Sequence, residues 1–220
     1  MNKTLPLRDR KKAKQREALA SAAVRLFLKK GYNSTTLEQI CAECDVTVPT
    51  LLRYFGSKED LLFATQGASL ERCGKGLEHA IASRTVVSFW THFMHSSAVT
   101  VIGSREIINV YRIIVNAPSL LAKFYAITRQ YEELLERALC AEIGVEYGKD
   151  LHSNLLAHLL VAGPVEEALR AIAQGEFAVA LKRVDTVMNY VLANFRRPAP
   201  AKPAGPERNK PARSAKRARS

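Results

Sequence analysis

The chain has 220 residues, of which 47 % are apolar, and a formal net charge of +12 at pH 7. This length and apolar content exclude a single-helix module and suit one compact helical domain or two small ones. No apolar stretch reaches about 18 residues, so we expect no membrane span and a reduced cytoplasmic setting.

The positive charge lies mostly at the two ends of the chain. Residues 1 to 17 contain seven basic and two acidic side chains, and residues 198 to 220 contain seven basic and one acidic. The remainder is nearly neutral, which favours contact of the ends with a polyanion, in the first place nucleic acid. For the C-terminal residues 198 to 220, the alternative is a tail that only increases solubility.

Residues 1 to 10 are predicted to form a basic flexible arm, followed by a first helix over residues 11 to 30 that ends at Gly31. Apolar residues recur at helical spacing through that helix. The basic residues of the arm and of the first turns could reach the DNA backbone or an adjacent minor groove. These residues are Arg8, Arg10, Lys11, Lys12 and Lys14.

The stretch TTLEQICAECDVTVPTLLRY, residues 35 to 54, predicts two short helices joined by a tight turn. Thr35 or Thr36 caps the first helix, because each begins a capping-box pattern. Asp45 interrupts the apolar spacing and can hold the left-handed turn conformation. Thr47 then caps the second helix.

The second helix is predicted to be a DNA-reading helix. If Val46, Leu51 and Phe55 face inward, the opposite face fits a major groove. That face presents Val48, Pro49, Thr50, Leu52, Arg53 and Tyr54, and these six residues together with the cap Thr47 are predicted to bind DNA.

Five motifs of this region together resemble the helix-turn-helix domain of TetR-type transcriptional regulators. They are AAxxLFxxxG at 22–31, TTxxxI at 35–40, VT at 46–47, TLxxYF at 50–55 and SKExL at 57–61. The resemblance covers about residues 16–62. Asp45 stands where the family usually has a glycine, and Leu52 stands where it usually has a tyrosine that contacts phosphate. The second departure shifts the expected phosphate contacts toward Tyr54, Thr36 and Lys58.

The resemblance implies an all-α protein with an N-terminal three-helix helix-turn-helix domain, residues 11–56, and a C-terminal helical bundle for ligand binding and dimerisation, residues 57–197. A connecting helix capped by Ser57 is predicted to end at a glycine joint, Gly74 and Gly76. Further helices are predicted over 77–83, 86–102, 104–116, 119–142, 150–174 and 176–195. Residues 198–220 are predicted to be a disordered basic tail.

The middle of the chain is rich in aromatic residues, and in the family this region encloses a small-molecule pocket. A mostly apolar ligand with one polar group would suit such a lining. The alternative is an ordinary helical core. The predicted ligand-binding residues are Phe89, Trp90, Phe93, Met94, Tyr111, Ile114 and Phe124.

The last two predicted helices carry apolar stripes, and the second stripe has heptad-like spacing. In the family, two such helices pack with their copies as a four-helix dimer interface, although the stripes could instead be intramolecular core. The predicted interface residues are Leu155, Leu159, Ala162, Leu169, Leu181, Val184, Met188 and Val191.

The sequence predicts no metal site, no cofactor and no catalytic site. Cys41 and Cys44 form a CxxC pattern without a second pair of ligands, so we interpret them as small buried residues rather than a zinc or redox site. His92 and His95 lack a third ligand nearby. No catalytic motif is recognisable.

The sequence therefore predicts a transcriptional regulator that binds specific DNA. The expected form is a ligand-responsive repressor, acting as a homodimer on a quasi-palindromic operator. The alternative is an architectural protein that binds DNA largely without sequence preference through its basic ends.

Overall fold

The computed structural model describes residues 6–195, and within them it contains ten α-helices and no β-strand. In chain order these are α1 (Leu7–Lys30), α2 (Leu37–Glu43), α3 (Val48–Phe55), α4 (Lys58–Leu62), α5 (Gln66–Ser83), α6 (Val86–Ile102), α7 (Arg105–Val115), α8 (Pro118–Ile143), α9 (Leu151–Gln174) and α10 (Phe177–Asn194). None of the described helices is both long and apolar enough to cross a bilayer.

The first four helices form a head, in which side-chain caps begin α2, α3 and α4. The hydroxyl of Thr36 accepts a hydrogen bond from the Gln39 amide, and the Gln39 side chain accepts one from the Thr36 amide. Thr35 is buried instead, and its hydroxyl donates to the Gly31 carbonyl at 2.9 Å. Asp45 has a φ of 50°, which confirms the predicted left-handed turn.

The head and the remaining described helices, α5 to α10, which we call the body, share one hydrophobic core. Leu26 of α1, Ile40 of α2 and Leu51 of α3 belong to the same buried cluster as Ile114 of α7 and Phe124 of α8. A displacement within the body can therefore reach the head through directly packed side chains.

The predicted arm is shorter than expected, because α1 begins at Leu7 rather than near residue 11. Pro6 precedes the helix, at a place where its missing amide costs no intrahelical hydrogen bond. The rest of the predicted arm, residues 1–5, and the predicted tail, residues 198–220, lie outside the described residues.

The predicted connecting helix and glycine joint are wrong. The helix stops at Leu62, Phe63 is buried, and a new helix, α5, runs without interruption through Gly74 and Gly76. A Cβ atom at Gly76 would lie 2.2 Å from the Phe89 ring. Gly76 therefore permits close packing of α6 on α5 and does not interrupt the helix.

The body is a bundle of α5 to α10. A second core lies between α5, α6, α8, α9 and α10, and it includes Leu77, Trp90, Leu135 and Leu160. The last two helices turn back on each other at Gly175, which has a φ of 74°. They approach closely, since a Cβ atom at Gly163 would lie 3.0 Å from a Val187 methyl group.

Candidate DNA-binding surface and interior cavity

The turn between α2 and α3 is fixed by backbone and core contacts. The Val46 amide donates to the Cys41 carbonyl at 3.1 Å, and Leu51 and Phe55 of α3 are buried against the other head helices. Because these two residues face inward, the remaining face of α3 points to solvent.

The outer face of α3 carries most of the predicted DNA-binding residues. Pro49, Leu52 and Arg53 are exposed, and Val48, Thr50 and Tyr54 are half-buried along its edges. Arg53 forms no ion pair among the described residues, so its guanidinium remains available to a ligand.

Two threonines organise the amino end of α3. The Thr47 hydroxyl accepts a hydrogen bond from the Thr50 amide and donates to the Thr50 hydroxyl at 3.0 Å. The positive end of the helix dipole lies here, at a position that favours a phosphate group. Thr36 is likewise exposed, at the amino end of α2, where its hydroxyl is the helix cap.

The amino half of α1 lies beside α3. The Tyr54 hydroxyl donates to the Gln15 side chain at 3.0 Å. The Arg16 guanidinium lies 4.8 Å from the centre of the Phe55 ring and donates to the Ala64 carbonyl at 3.0 Å. Sequence reasoning missed this role of Arg16, because nothing in the local pattern pairs α1 with α3.

A basic stripe, Arg8, Lys11 and Lys12, continues from this contact along α1. These residues lie seven, four and three positions before Gln15, so they share its face of α1. Since Gln15 contacts α3, the stripe continues the exposed surface of α3 with positive charge. All three side chains are exposed. The surface of α3 and the basic stripe together have the polarity expected for contact with a polyanion.

Lys58 is turned into the head and is not a free cation. Its ammonium donates to the Tyr32 carbonyl at 2.5 Å and lies 4.2 Å from the centre of the Tyr32 ring. Burial lowers the pKa of Lys58. The predicted contact of Lys58 with the DNA backbone would require breaking this bond, so Lys58 instead ties α4 to the end of α1.

An interior cavity of about 740 Å³ lies between the head and the body. Its volume is in the range of small-molecule sites. Ala20 and Val24 of α1 and Leu61 and Leu62 of α4 line its side toward the head, and helices of the body line the rest. Five of the seven predicted ligand-binding residues line it, namely Phe93, Met94, Tyr111, Ile114 and Phe124.

Phe89 and Trp90 do not line the cavity. Trp90 is fully buried and its indole donates to the Leu160 carbonyl at 3.0 Å, whereas Phe89 packs on Gly76. The prediction that both line the pocket is wrong, because large apolar side chains on one helix divide between the core and the cavity.

The cavity also has polar groups, of which the sequence singled out Tyr111 but not Tyr131. Burial raises the pKa of the Tyr111 phenol to about 12. Burial also raises the pKa of Tyr131, while its interaction with Ser69 and the charge of Arg72 oppose that effect. Tyr131 lies seven residues after Phe124 on α8, so helical spacing from a predicted residue could have identified it.

The predicted dimer residues divide into two faces. Leu169, Val184, Met188 and Val191 are buried within a single chain, so they cannot form the surface of an interface. Their stripe is the inner seam of the bundle, since the heptad-like spacing of α10 faces its own body. Ala162 and Leu181 are half-buried, and Leu155 and Leu159 are exposed.

His92 and His95 both contact polar side chains, and the cysteines form no disulfide. His95 contacts Asp185 at 2.9 Å, and His92 lies near the Ser96 hydroxyl. All four cysteines are free, and burial raises the pKa of Cys73 to about 12. Within residues 6–195 no three or more metal-ligating side chains form a group that could hold an ion.

Comparison with known proteins agrees with this geometry. A sequence profile of the family described as bacterial regulatory proteins, tetR family, matches residues 19–65. The HTH-type transcriptional regulator TcmR of Streptomyces glaucescens is 29 % identical over 205 residues, which cover 87 % of this chain and 91 % of that protein. The HTH-type transcriptional regulator BetI of Rhizobium meliloti (strain 1021) is 31 % identical over 166 residues, 75 % of this chain and 73 % of that protein.

A solved structure shares the fold over most of the chain. The crystal structure of Thermus thermophilus FadR, a transcriptional repressor in complex with lauroyl-CoA, superposes with a TM-score of 0.60 at 19 % identity and covers 86 % of this chain and all of that one. At this identity the similarity establishes the arrangement of helices and nothing about the ligand.

Proposed function

The chain belongs to the TetR family of bacterial regulatory proteins, and we propose that this sequence-specific DNA-binding regulator is a ligand-responsive repressor that acts as a homodimer. The observation that carries the proposal is the solvent-facing surface of α3, which projects from a head that is packed directly on a cavity. A head in this position can bind DNA on its outer side while an occupant of the cavity contacts it from within.

In this proposal α3 enters the major groove. Arg53 contacts phosphate or guanine, Thr50 and Tyr54 contact phosphate or a base edge, and Val48 and Pro49 contact thymine methyl groups. Thr47 holds the amino end of α3 near the DNA backbone. Leu52, which is 38 % exposed, offers apolar contact only. The basic stripe on α1 adds affinity without sequence preference.

Dimerisation is proposed to use the outer faces of α9 and α10. Leu151, Leu155 and Leu159 are exposed by 71 %, 40 % and 37 % and recur every four residues on one face of α9. Because α10 runs back along α9 from Gly175, the exposed Tyr190 lies level with Leu159. We call these four residues the outer stripe. Exposed apolar side chains of this kind support a self-complementary interface.

A homodimer would present two copies of α3 to successive major grooves. Half-sites would then lie about 34 to 36 Å apart on a quasi-palindromic operator. This geometry requires a fixed distance between the two heads. Any change in the angle between head and body would therefore weaken the fit to the operator.

The cavity offers a route for a ligand to change that angle. An occupant would contact α1 at Ala20 and Val24 and α4 at Leu61 while also contacting the body. It would favour the head position that best accommodates it, and the size of the effect is limited by its differential affinity for the two positions. A small, mostly apolar ligand suits this lining.

The test is binding of the purified protein to its own upstream DNA, measured by fluorescence anisotropy against a scrambled duplex at fixed salt. The comparison is repeated without residues 198–220. Tight binding to the upstream DNA that survives removal of the tail supports the proposal. Equal binding to both duplexes that disappears with the tail would support the architectural alternative and overturn the proposal.

A further inference from the structure

Three charged side chains line the cavity, and they differ in their partners. Arg25 is already paired with Glu43 at 2.8 Å, and Glu106 lies in the first turn of α7, where the helix dipole stabilises its charge. Arg72 forms no ion pair and no hydrogen bond among the described residues. It is therefore the lining cation that can accept an anion without losing an existing partner.

Arg72 lies within a small polar group. Ser69 is three residues before it on the same face of α5, and both line the cavity with Tyr131 of α8. The Arg72 charge and the Ser69 side chain both act on the Tyr131 hydroxyl. Two hydroxyl groups and a guanidinium supply several hydrogen-bond donors at one place, as a carboxylate requires.

The rest of the cavity lining is predominantly apolar. Its walls include aliphatic and aromatic side chains of α7, α8 and α9, namely Val110, Ile114, Phe124, Ile127, Val165 and Leu169. Arg72 itself is exposed, so a charged group beside it keeps part of its hydration while an attached apolar part enters the interior.

We propose that the cavity binds an anionic amphiphile, whose head group is held by Arg72 and Tyr131 and whose apolar part lies against Ile114, Phe124 and Leu169. This inference rests on the proposed role of the cavity as the ligand site. It goes further by assigning the charge of the ligand and the residue that selects it.

The test uses decanoate and 1-decanol, which share an apolar chain and differ in the head group, and decyltrimethylammonium as the cationic counterpart. Affinities for the full-length protein are measured by isothermal titration calorimetry. Trp90, the single tryptophan, gives a second signal because its ring lies 6.4 Å from that of Tyr131. The variants are Arg72→Gln and, as a matched control in the same cavity, Arg25→Gln.

Decanoate should bind at least about fivefold more tightly than decanol, the gain expected for one charge-assisted contact at a partly exposed site. Arg72→Gln should remove this preference and leave decanol binding unchanged, and Arg25→Gln should retain it. Equal binding of decanoate and decanol, tighter binding of the cation, or a preference that disappears in Arg25→Gln but is kept in Arg72→Gln would overturn the inference.

A parallel measurement separates this inference from the proposed function. Operator binding is titrated with and without decanoate. If neither probe binds but the operator is bound specifically, the ligand inference fails and the DNA-binding proposal stands. If decanoate binds with the expected preference and operator affinity does not change, the anionic site stands and the ligand response fails.

Discussion

The indole nitrogen of Trp90 donates a hydrogen bond of 3.0 Å to the carbonyl oxygen of Leu160. Four residues later in the same helix stands Pro164, which has no amide hydrogen, so this carbonyl lacks its usual intrahelical donor. Trp90 takes the place of the missing amide. The bond ties α6 to α9 beside Val161 and Pro164, which both line the cavity.

Replacing Trp90 with phenylalanine should destabilise the protein by about 1–3 kcal/mol, because the buried Leu160 carbonyl would lose its donor. The effect should be smaller in a Pro164→Ala background, where the new amide can bond to the same carbonyl. The measurement is urea denaturation followed by circular dichroism at fixed protein concentration, arranged as a double-mutant cycle. Equal destabilisation in both backgrounds would contradict the compensation between Trp90 and Pro164.

Two glycines of α5 should respond in opposite ways to alanine. At Gly74 no atom lies within 4 Å of an added Cβ, so Gly74→Ala should stabilise the helix by about 0.5–1 kcal/mol. At Gly76 the Phe89 ring must move, so Gly76→Ala should be destabilising by about 1 kcal/mol net.

Thermal denaturation of the two variants, and of Gly76→Ala combined with Phe89→Leu, checks this expectation. The smaller side chain at position 89 should restore the stabilising effect of alanine at position 76. A stabilising Gly76→Ala in the presence of Phe89 would show that α6 does not need close approach at this glycine.

Arg53→Ala should weaken binding to the operator roughly tenfold or more, because it removes the free cation of the α3 surface. Arg170→Ala, an exposed arginine on α9, is the matched control and should leave DNA binding unchanged. Anisotropy titrations at fixed salt with the upstream duplex distinguish them. Unchanged affinity of Arg53→Ala would remove Arg53 from the DNA-binding site.

The basic stripe should act on all DNA sequences alike. Changing Arg8, Lys11 and Lys12 to glutamine should weaken binding to the upstream and scrambled duplexes by similar factors. The slope of log affinity against log salt should become shallower by about 0.9 for each phosphate group that the protein no longer neutralises.

The control for the stripe changes Lys29 and Lys30 in the last turn of the same helix, and we expect it to leave the slope unaltered. A stripe variant with weaker affinity for the upstream duplex alone would instead assign base readout to α1.

Leu155→Glu should convert the proposed homodimer to monomers, because each protomer would add a negative charge to an apolar face that the interface would desolvate. Leu28→Glu, at an exposed leucine of α1, is the control and should remain dimeric. Sedimentation velocity of both variants gives the answer. A dimeric Leu155→Glu variant would exclude the outer stripe as the interface.

Local signals in the sequence were sufficient for α2, α3 and the turn between them. A threonine cap at Thr35 or Thr36, the Thr47 cap, the left-handed turn at Asp45 and the inward direction of Leu51 were all predicted from residues close in sequence. The same signals gave nearly correct bounds for the later helices of the body. Short-range geometry is specified by nearby residues, so it can be inferred from sequence alone.

Tertiary relations were not available from such patterns. Periodicity predicted an apolar stripe on α10. It could not show whether Val184 packs against its own body or against a partner chain, because an intramolecular core and a dimer interface both need apolar residues at these positions. The sequence also predicted that the helix ends near Gly76. The contact of this glycine with Phe89 could not be predicted, because Phe89 lies on another helix. The contribution of α1 to the cavity and the partner of Lys58 depend on the three-dimensional arrangement in the same way.

In the proposed complex, two copies of α3 read the major grooves of one operator. Guanine N7 lies in the major groove, so protection from dimethyl sulfate on the upstream DNA tests this claim directly. We predict two protected clusters centred about one helical turn, or a multiple of it, apart. Binding that shifts the DNA but leaves every guanine N7 equally reactive would contradict major-groove reading by α3.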